Sequence, residues 1–165
     1  MDLSPVEQRF VLHWGEMGTQ WGVSRTVAQI HALLLLSPDP LPADEIARTL
    51  GVARSNASTS LRELTGWRII RVAHRFGDRR DRYEALKDPW ELFRIVVEER
   101  KRREIDPTLA MLRQSVSRIR QGDPARPEAQ ARLENLLDFF ESMVGAYERL
   151  RHLEPEHLRQ LAGLG

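Results

Sequence analysis

Two patterns of apolar residues organise this chain, one with the period of a helix and one with the period of a strand. Helical spacing occurs on either side of Gly51, over residues 46–50 and 57–64. Gly51 lies where a helix end favours a residue that tolerates positive φ. After Trp67 the pattern changes to alternation, which is typical of a β-strand. Residues 43–85 therefore predict a helix, a tight turn, a second helix and a hairpin.

This order of elements is the pattern of a winged helix-turn-helix, a mainly α fold with a small β-hairpin wing (α+β). Its two helices cross steeply, so that the second can enter a DNA major groove. At about 100° per residue, Ala57, Leu61 and Leu64 fall on one side of the second helix. The other side offers short hydroxyls and cations, which suit phosphates and base edges. The predicted DNA contacts of this helix are Arg54, Ser55, Ser58, Thr59 and Arg62.

The hairpin concentrates arginine around its turn, for which Gly77 and Asp78 supply the turn chemistry. A solvated turn explains one or two arginines, whereas four around one tip suit a wing that grips phosphates or a minor groove. The predicted wing contacts are Arg75, Arg79, Arg80 and Arg82. For Arg82 an ion pair with Glu84 or Asp81 stays open as an alternative.

Charge is distributed unevenly along the chain, although the net charge is only +1. Residues 54–87 hold nine Lys and Arg against four Asp and Glu, a net of +5, so the remainder carries −4. Positive charge is therefore concentrated on the predicted DNA face. The absence of cysteine excludes disulfides and Cys-ligated metals, and no apolar run approaches the roughly 20 residues of a membrane span. We expect a cytoplasmic protein without a cofactor, metal or membrane partner.

Helices are predicted on both sides of the winged segment. Ser4-Pro5 begins a helix that runs to about Met17, after which glycines predict a looser chain. Ser24 caps a second helix that ends near Leu36. Beyond the wing, Pro89 begins another helix, and the mixed charges of residues 98–104 predict a solvated helix face.

Two further stretches, 105–119 and 133–150, repeat apolar residues at alternating spacings of three and four. Such seams suit helix packing within one chain or between two chains. Dimerisation is the favoured interpretation, because two-fold symmetry doubles the DNA contact of a helix-turn-helix. The chain is thus divided into a DNA-binding module, 24–88, and a helical dimerisation and sensor region, 1–23 and 89–165.

Four short phrases between residues 17 and 93 carry a family resemblance: Leu-Ser-Pro-Asp-Pro-Leu, Ser-Leu-Arg-Glu-Leu, Gly-Asp-Arg-Arg and Asp-Pro-Trp. Together they resemble the MarR superfamily of bacterial transcriptional regulators, and more specifically its GbsR-type branch. The resemblance implies a homodimeric winged-helix repressor or activator that binds DNA. In that branch some members respond to small quaternary ammonium compounds. Ala53 and Pro42 depart from the pattern, because both stand where a capping Ser or Thr is common.

The resemblance also suggests an effector site between the winged module and the dimerisation helices. A quaternary ammonium group is recognised by aromatic faces rather than by hydrogen bonds to its cationic head. The candidate effector-binding residues are Trp14, Trp21, Trp90 and Phe93. The alternative is that these aromatic side chains are core or dimer contacts.

Two other classes of function compete with a DNA-binding regulator. An enzyme is not expected, because the chain has no Gly-rich phosphate loop and no Cys nucleophile, and His152 and His157 miss the i, i+4 spacing of a helical zinc pair. A helical winged-fold protein-interaction module without specific DNA binding would have an acidic or neutral outer face on its second helix. The basic face here favours a sequence-specific regulator, by preference a repressor, on a pseudo-palindromic operator of double-stranded DNA.

Overall fold

The computed structural model describes residues 1–151 of the chain. In order, the elements are α1 Pro5–Gln20, α2 Arg25–Leu36, β1 Leu41–Pro42, α3 Ala43–Leu50, α4 Arg54–Gly66, β2 Ile70–Arg75, β3 Asp78–Ala85, α5 Pro89–Arg100, a π-helical segment Lys101–Ile105, α6 Asp106–Arg120 and α7 Pro127–Leu150. The chain divides into two compact units, residues 1–95 and 96–165. The end of the predicted helical region, with His152 and His157, lies outside the described residues.

The helix boundaries follow from local capping chemistry. The backbone N–H of Glu7 donates to the Ser4 hydroxyl while the Ser4 N–H donates to the Glu7 carboxylate at 2.7 Å, so α1 begins in a capping box. The Ser24 hydroxyl accepts from the N–H of Val27 and caps α2. Gly51 ends α3 with a φ of 64°, as predicted.

α1 extends to Gln20, beyond its predicted end near Met17. The prediction that Gly15 and Gly18 loosen the chain is wrong. Both glycines lie within the helix, where they let α1 approach α2 closely. A Cβ on Gly18 would lie only 2.4 Å from the Cβ of Ala28, and a Cβ on Gly15 would lie 2.7 Å from Gln29 Cγ. The absent side chains therefore serve helix packing, and α1 belongs to the first unit.

The first unit has one continuous apolar core beneath α2, α3, α4 and the sheet. Among the described residues its buried apolar members are Val27, Ile30, Leu33, Leu34, Leu41, Ile46, Ala47, Ala57, Leu61, Leu64, Ile69, Ile70 and Ala85. The predicted inner face of α4 is thus confirmed. Ser60, which the apolar pattern does not include, is also buried at the same face.

The wing is part of a three-stranded antiparallel sheet in the order β1-β3-β2. β2 and β3 pair from Ile70 opposite Ala85 to Arg75 opposite Asp78, with a register irregularity near the tip. β1 is an addition to the predicted hairpin, because its two residues are too few to show a period. The result is the predicted winged helix-turn-helix, mainly α with a small sheet.

The second unit contains a helical hairpin of α6 and α7. Leu109, Leu112 and Val116 of α6 are buried with Leu137 of α7. Leu133, Phe140 and Val144 pack against that cluster. At these positions the two apolar seams contact each other within one chain, which is the alternative to a dimer interface. The predicted seam member Ile105 belongs to the π-helical segment rather than to α6.

The prediction of a solvated face for residues 98–104 is only partly right. The Lys101 side chain is largely buried, with its Nζ 2.9 Å from Asp106 Oδ1, and this hydrogen bond raises the pKa of Lys101. The Tyr147 hydroxyl donates to the Glu98 carboxylate. Burial and the contact with Glu98 raise the pKa of Tyr147 to about 12. The Tyr147 contact joins α7 to α5, and Lys101 Nζ joins the π-helical segment to the end of α7 at 3.6 Å from Glu148 Oε1.

Candidate nucleic-acid interface

The outer face of α4 presents every residue that the sequence predicts as a DNA contact of this helix. The inner face is fixed by Ala57, Leu61 and Leu64, which are at most 1% exposed. Opposite them, the exposed side chains include Arg54, Ser55, Ser58, Thr59 and Arg62. The buried face therefore orients these donors and acceptors towards solvent, where they are available to a ligand.

Contacts on α4 restrain part of this face. Arg62 Nη2 donates to the Thr59 hydroxyl at 3.2 Å, which pairs two predicted base-contacting residues one turn apart. Asn56 Nδ2 donates to the Thr26 hydroxyl at 3.3 Å and links α4 to the first turn of α2. A guanidinium held along the helix surface loses less side-chain entropy when it binds a base or phosphate.

The N-terminus of α4 has no side-chain cap. Ala53 occupies the capping position and has no hydrogen-bonding side chain, whereas Ser4 and Ser24 cap α1 and α2. The first backbone N–H groups of a helix carry partial positive charge and bind anions such as phosphate. The departure from a capping Ser therefore leaves these donors open beside Arg54.

Asp78 organises the wing immediately after its turn. Its carboxylate accepts from Arg80 Nε and Nη2, both at 3.0 Å, and from Arg82 Nη2 at 3.0 Å. The Arg80 hydrogen bonds are the main reason that the pKa of Asp78 lies far below its usual value. Asp78 therefore stays ionised and fixes two of the four predicted wing arginines.

Arg82 differs from its prediction as a tip residue. Its side chain is 17% exposed and its Nη1 donates to the Pro40 carbonyl oxygen at 3.1 Å, beside β1. The alternative partners considered from sequence were Glu84 and Asp81, but the observed carboxylate partner is Asp78. Arg82 therefore ties the base of the wing to the strand before α3.

The Arg80 side chain has partners within the protein, whereas the Arg75 and Arg79 side chains have none that the structure describes. Besides Asp78, Arg80 lies 3.7 Å from Asp44 on α3. Among residues 1–151, the side chains of Arg75 and Arg79 make neither a hydrogen bond nor an ion pair, and both residues are exposed. The wing thus combines two anchored arginines with two that are available near its tip.

Phe76 is a wing residue that was not predicted from the sequence, and it occupies the turn with its side chain fully exposed. The signal was present in the sequence, because a phenylalanine beside Gly77 in a hairpin turn has no strand neighbour against which to pack. Arg71 also lies on the wing, where its Nε donates to Glu84 at 2.6 Å across the two strands.

The four candidate effector-binding aromatics occupy different positions in the first unit. Trp14 lies on α1, with its ring centroid 5.3 Å from that of Phe10 and 6.2 Å from that of His31. Trp21 follows α1 and is 55% exposed. Trp90 and Phe93 stand one turn apart at the start of α5, and Phe93 is exposed.

His31 is a titratable group inside this unit that the sequence-based function does not use. It is 4% exposed, and its buried Nε2 has no hydrogen-bond partner among the described residues. Burial lowers its pKa to about 4, so the imidazole is neutral near neutral pH. Its placement against Trp14 is a packing role in the contact of α1 with α2.

The described residues offer neither a metal centre nor a membrane-spanning helix. Residues 1–151 contain no group of three or more histidine and acidic side chains arranged to hold a metal ion. Over that range, no helix has both the length and the apolar composition needed to cross a membrane.

Comparison with known proteins identifies the fold. The chain matches no protein-family model and none of the curated proteins. A solved structure described as a transcriptional regulator is similar over 89% of this chain and 96% of its own, with a TM-score of 0.70 and 21% identity. This likeness shows a shared fold.

Two more distant likenesses are to a mutant of S. aureus MepR bound to an oligodeoxyribonucleotide and to the transcriptional regulator Tm0710 of Thermotoga maritima. The first has a TM-score of 0.42 and 14% identity over 84% of this chain and 92% of the other. The second has a TM-score of 0.39 and 17% identity over 86% and 89%. At these TM-scores the two likenesses do not bear on the function of this chain.

Proposed function

We propose that this protein is a sequence-specific DNA-binding transcriptional regulator of the MarR type that has no catalytic activity. The observation that carries the proposal is the outer face of α4, where Arg54 and Arg62 are exposed among hydroxyl side chains. A solved structure with the same fold is described as a transcriptional regulator, which supports the proposal. The GbsR-type branch remains a finer prediction based on sequence resemblance.

In this proposal α4 enters a DNA major groove. Arg62 is placed to donate to the O6 and N7 atoms of a guanine, and Ser55, Ser58 and Thr59 can contact other base edges or phosphates. Arg54 and the uncapped N–H groups beside it suit a phosphate. The helix therefore supplies both sequence recognition and part of the backbone contact.

The wing supplies electrostatic affinity next to this helix. Arg75 and Arg79 are proposed to contact phosphates directly, because the protein itself gives them no described partner. Arg80 is proposed to contact DNA while its bond to Asp78 fixes its position. Arg82 is proposed to position the wing through Pro40 rather than to contact DNA.

The experiment that tests this function is selection of duplexes from a randomised library, followed by binding measurements with the parent and Arg62→Ala. We expect the parent to select a pseudo-palindrome with half-sites about 10 bp apart. Arg62→Ala should weaken the selected duplex by about 1–3 kcal/mol and relax the preference at one base. Equal weakening on selected and mixed-sequence duplexes would mean that Arg62 contacts only phosphate.

A homodimer is proposed to place two such surfaces on one operator. The first and second units both leave large apolar side chains exposed on terminal helices: Val6 and Leu12 on α1, and Leu136 and Phe139 on α7.

Phe140 and Tyr147 are poor probes of dimerisation because they pack or hydrogen-bond within the second unit. Leu136→Glu with Phe139→Glu should give a folded monomer in analytical ultracentrifugation, and a fully dimeric variant would contradict this interface.

Repression is the proposed outcome of operator binding, and a small effector is proposed to relieve it. Trp21 and Phe93 are exposed aromatic side chains that suit a quaternary ammonium head group, with about 0.5–2 kcal/mol from each ring that a cation contacts. Choline or glycine betaine should then change tryptophan fluorescence and operator binding together. If neither changes, this class of effector is excluded while the DNA-binding proposal stands.

A further inference from the structure

Phe76 is the most exposed large apolar side chain in the described part of the chain. Its relative exposure is 107%, and the next value, that of Val6, is 68%. Single exposed apolar residues are common, so exposure alone does not indicate a function. The position of Phe76 and the residues around it do.

Phe76 lies at the apex of the hairpin. Arg75 pairs with Asp78 across the strands, so Phe76 and Gly77 alone form the connecting turn. Gly77 adopts a φ of 81°, which a side chain rarely tolerates, and leaves Phe76 as the only side chain of the turn. Asp78 then fixes the following strand through its contacts with Arg80. The phenyl ring therefore projects from the tip of the hairpin, next to a strand that the Asp78 contacts restrain.

Two cationic side chains lie close to this ring in the sequence, and neither has a partner among the described residues. Arg75 precedes Phe76 directly, and Arg79 follows the turn. An aromatic residue flanked in the sequence by two available arginines matches the chemistry of a minor groove, where phosphates flank a stack of base pairs. Proteins that bend DNA insert phenylalanine and other apolar wedges between base steps there.

We propose that Phe76 is a wedge that the wing inserts at a base step in the minor groove of bound DNA. Pyrimidine–purine steps are the easiest to unstack, so the wing selects such a step outside the bases read by α4. This inference rests on the proposed DNA-binding function and adds a second source of specificity to it. Phe76 carries no charge, so its contribution differs from that of Arg75 and Arg79 in being independent of counterion release.

The test uses duplexes of about 30 bp selected in vitro by the parent protein, long enough for two half-sites. 2-Aminopurine is placed at successive steps in the region flanking the α4 site, and binding is measured for the parent, Phe76→Ala and Phe76→Leu. Met111→Ala is the matched control, because Met111 is another exposed apolar residue but lies on α6. Thermal unfolding of each variant confirms that the fold is kept.

We expect the parent to raise 2-aminopurine fluorescence at one pyrimidine–purine step. Phe76→Ala should abolish that signal and weaken binding about ten-fold for each inserted ring, the scale of one base–aromatic contact. The dependence of binding on salt should stay unchanged. Phe76→Leu should keep most of the affinity, since leucine is also used as a wedge. Replacing the selected step with an A-tract should weaken the parent but not Phe76→Ala.

A Phe76→Ala variant that binds like the parent, with the same preference at the step, would overturn the wedge and leave the proposed function standing. If the parent itself shows no salt-dependent binding to any duplex, both the wedge and the proposed function fail. An equal loss in Met111→Ala would also overturn the wedge, because the effect would not be specific to the wing.

Discussion

The two units of the chain differ in what they bury and what they leave exposed. Among the described residues the first unit buries thirteen apolar residues in one cluster, whereas the second buries four. α7 is 24 residues long and has one buried residue, Leu137, while Leu136 and Phe139 beside it are exposed. The first unit thus has the larger apolar core, and both units leave large apolar side chains exposed, among them Val6 and Leu12 on α1 and Leu136 and Phe139 on α7.

Individual arginine side chains in the two units differ in their partners. In the second unit Arg113 pairs with Glu141 at 2.9 Å and Arg118 pairs with Asp123 at 2.6 Å. In the first unit the side chains of Arg75 and Arg79 have no partner within residues 1–151. The wing therefore holds cations that are available to a polyanion, whereas these two arginines of the second unit are already paired.

Truncating a core residue in each unit should give the largest effect and sharpen the contrast between the cores. Leu33 is fully buried in the first unit, and Leu33→Ala should lower the free energy of unfolding by about 2–5 kcal/mol. Leu137→Ala should cost only about 1–2 kcal/mol, because Leu137 packs in a smaller cluster. Urea unfolding at matched protein concentration measures both. Equal losses would contradict the difference between the two cores.

Acid should weaken the first unit through His31. The pKa of His31 is about 4 in the folded protein and 6.5 for a free side chain. Between pH 6.5 and pH 4, His31 is therefore protonated in the unfolded chain but stays neutral in the folded chain. The stabilisation is fully present above pH 6.5 and falls by about 3 kcal/mol towards pH 4.

His31→Leu removes this titration and serves as the reference. The difference in unfolding free energy between parent and variant should change by that amount between pH 7.5 and pH 4. Carboxylates contribute equally to both proteins and cancel in the difference. A difference that does not vary with pH would show that His31 is not neutral and buried in solution.

A glycine in each unit should respond with opposite sign to the addition of one methyl group. Gly18→Ala should cost about 1–3 kcal/mol, because the new Cβ would lie 2.4 Å from Ala28 Cβ between α1 and α2. In Gly145→Ala the new Cβ meets only Arg149 Nη1, at 3.6 Å, and the variant should gain about 0.5–1 kcal/mol from helix propensity. Thermal unfolding gives both signs, and a stabilising Gly18→Ala would contradict the close packing of α1 on α2.

Local rules were enough to predict most elements of the first unit. Ser4, Ser24 and Gly51 mark helix ends by hydrogen bonding and backbone conformation, which depend on neighbouring residues alone. The inner face of α4 follows from the helical period of Ala57 and its partners. Ser60 escaped because its hydroxyl marks it as polar, although a small side chain fits a close helix contact.

Features that depend on distant partners could not be predicted in this way. Arg82 contacts the carbonyl of Pro40, a residue 42 positions away, so its departure from the wing tip has no local signal. Gly15 and Gly18 have the composition of a loop, and only the position of α2 explains why they lie in a helix. The apolar seams of α6 and α7 predict that another surface packs against them. Their spacing is the same whether that surface belongs to the same chain or to a second chain.

The most direct measurement of the central claim is the salt dependence of DNA binding by two double variants. Arg75→Ala with Arg79→Ala removes the available cations of the wing, and Arg113→Ala with Arg118→Ala removes two paired cations of the second unit. The slope of log K against log salt should fall in magnitude by about 1.8 per protomer, or about 3.6 for the proposed dimer, in the wing variant and stay unchanged in the other. Equal slopes for the parent and both variants, or equal reductions in both, would contradict the assignment of DNA binding to the winged surface.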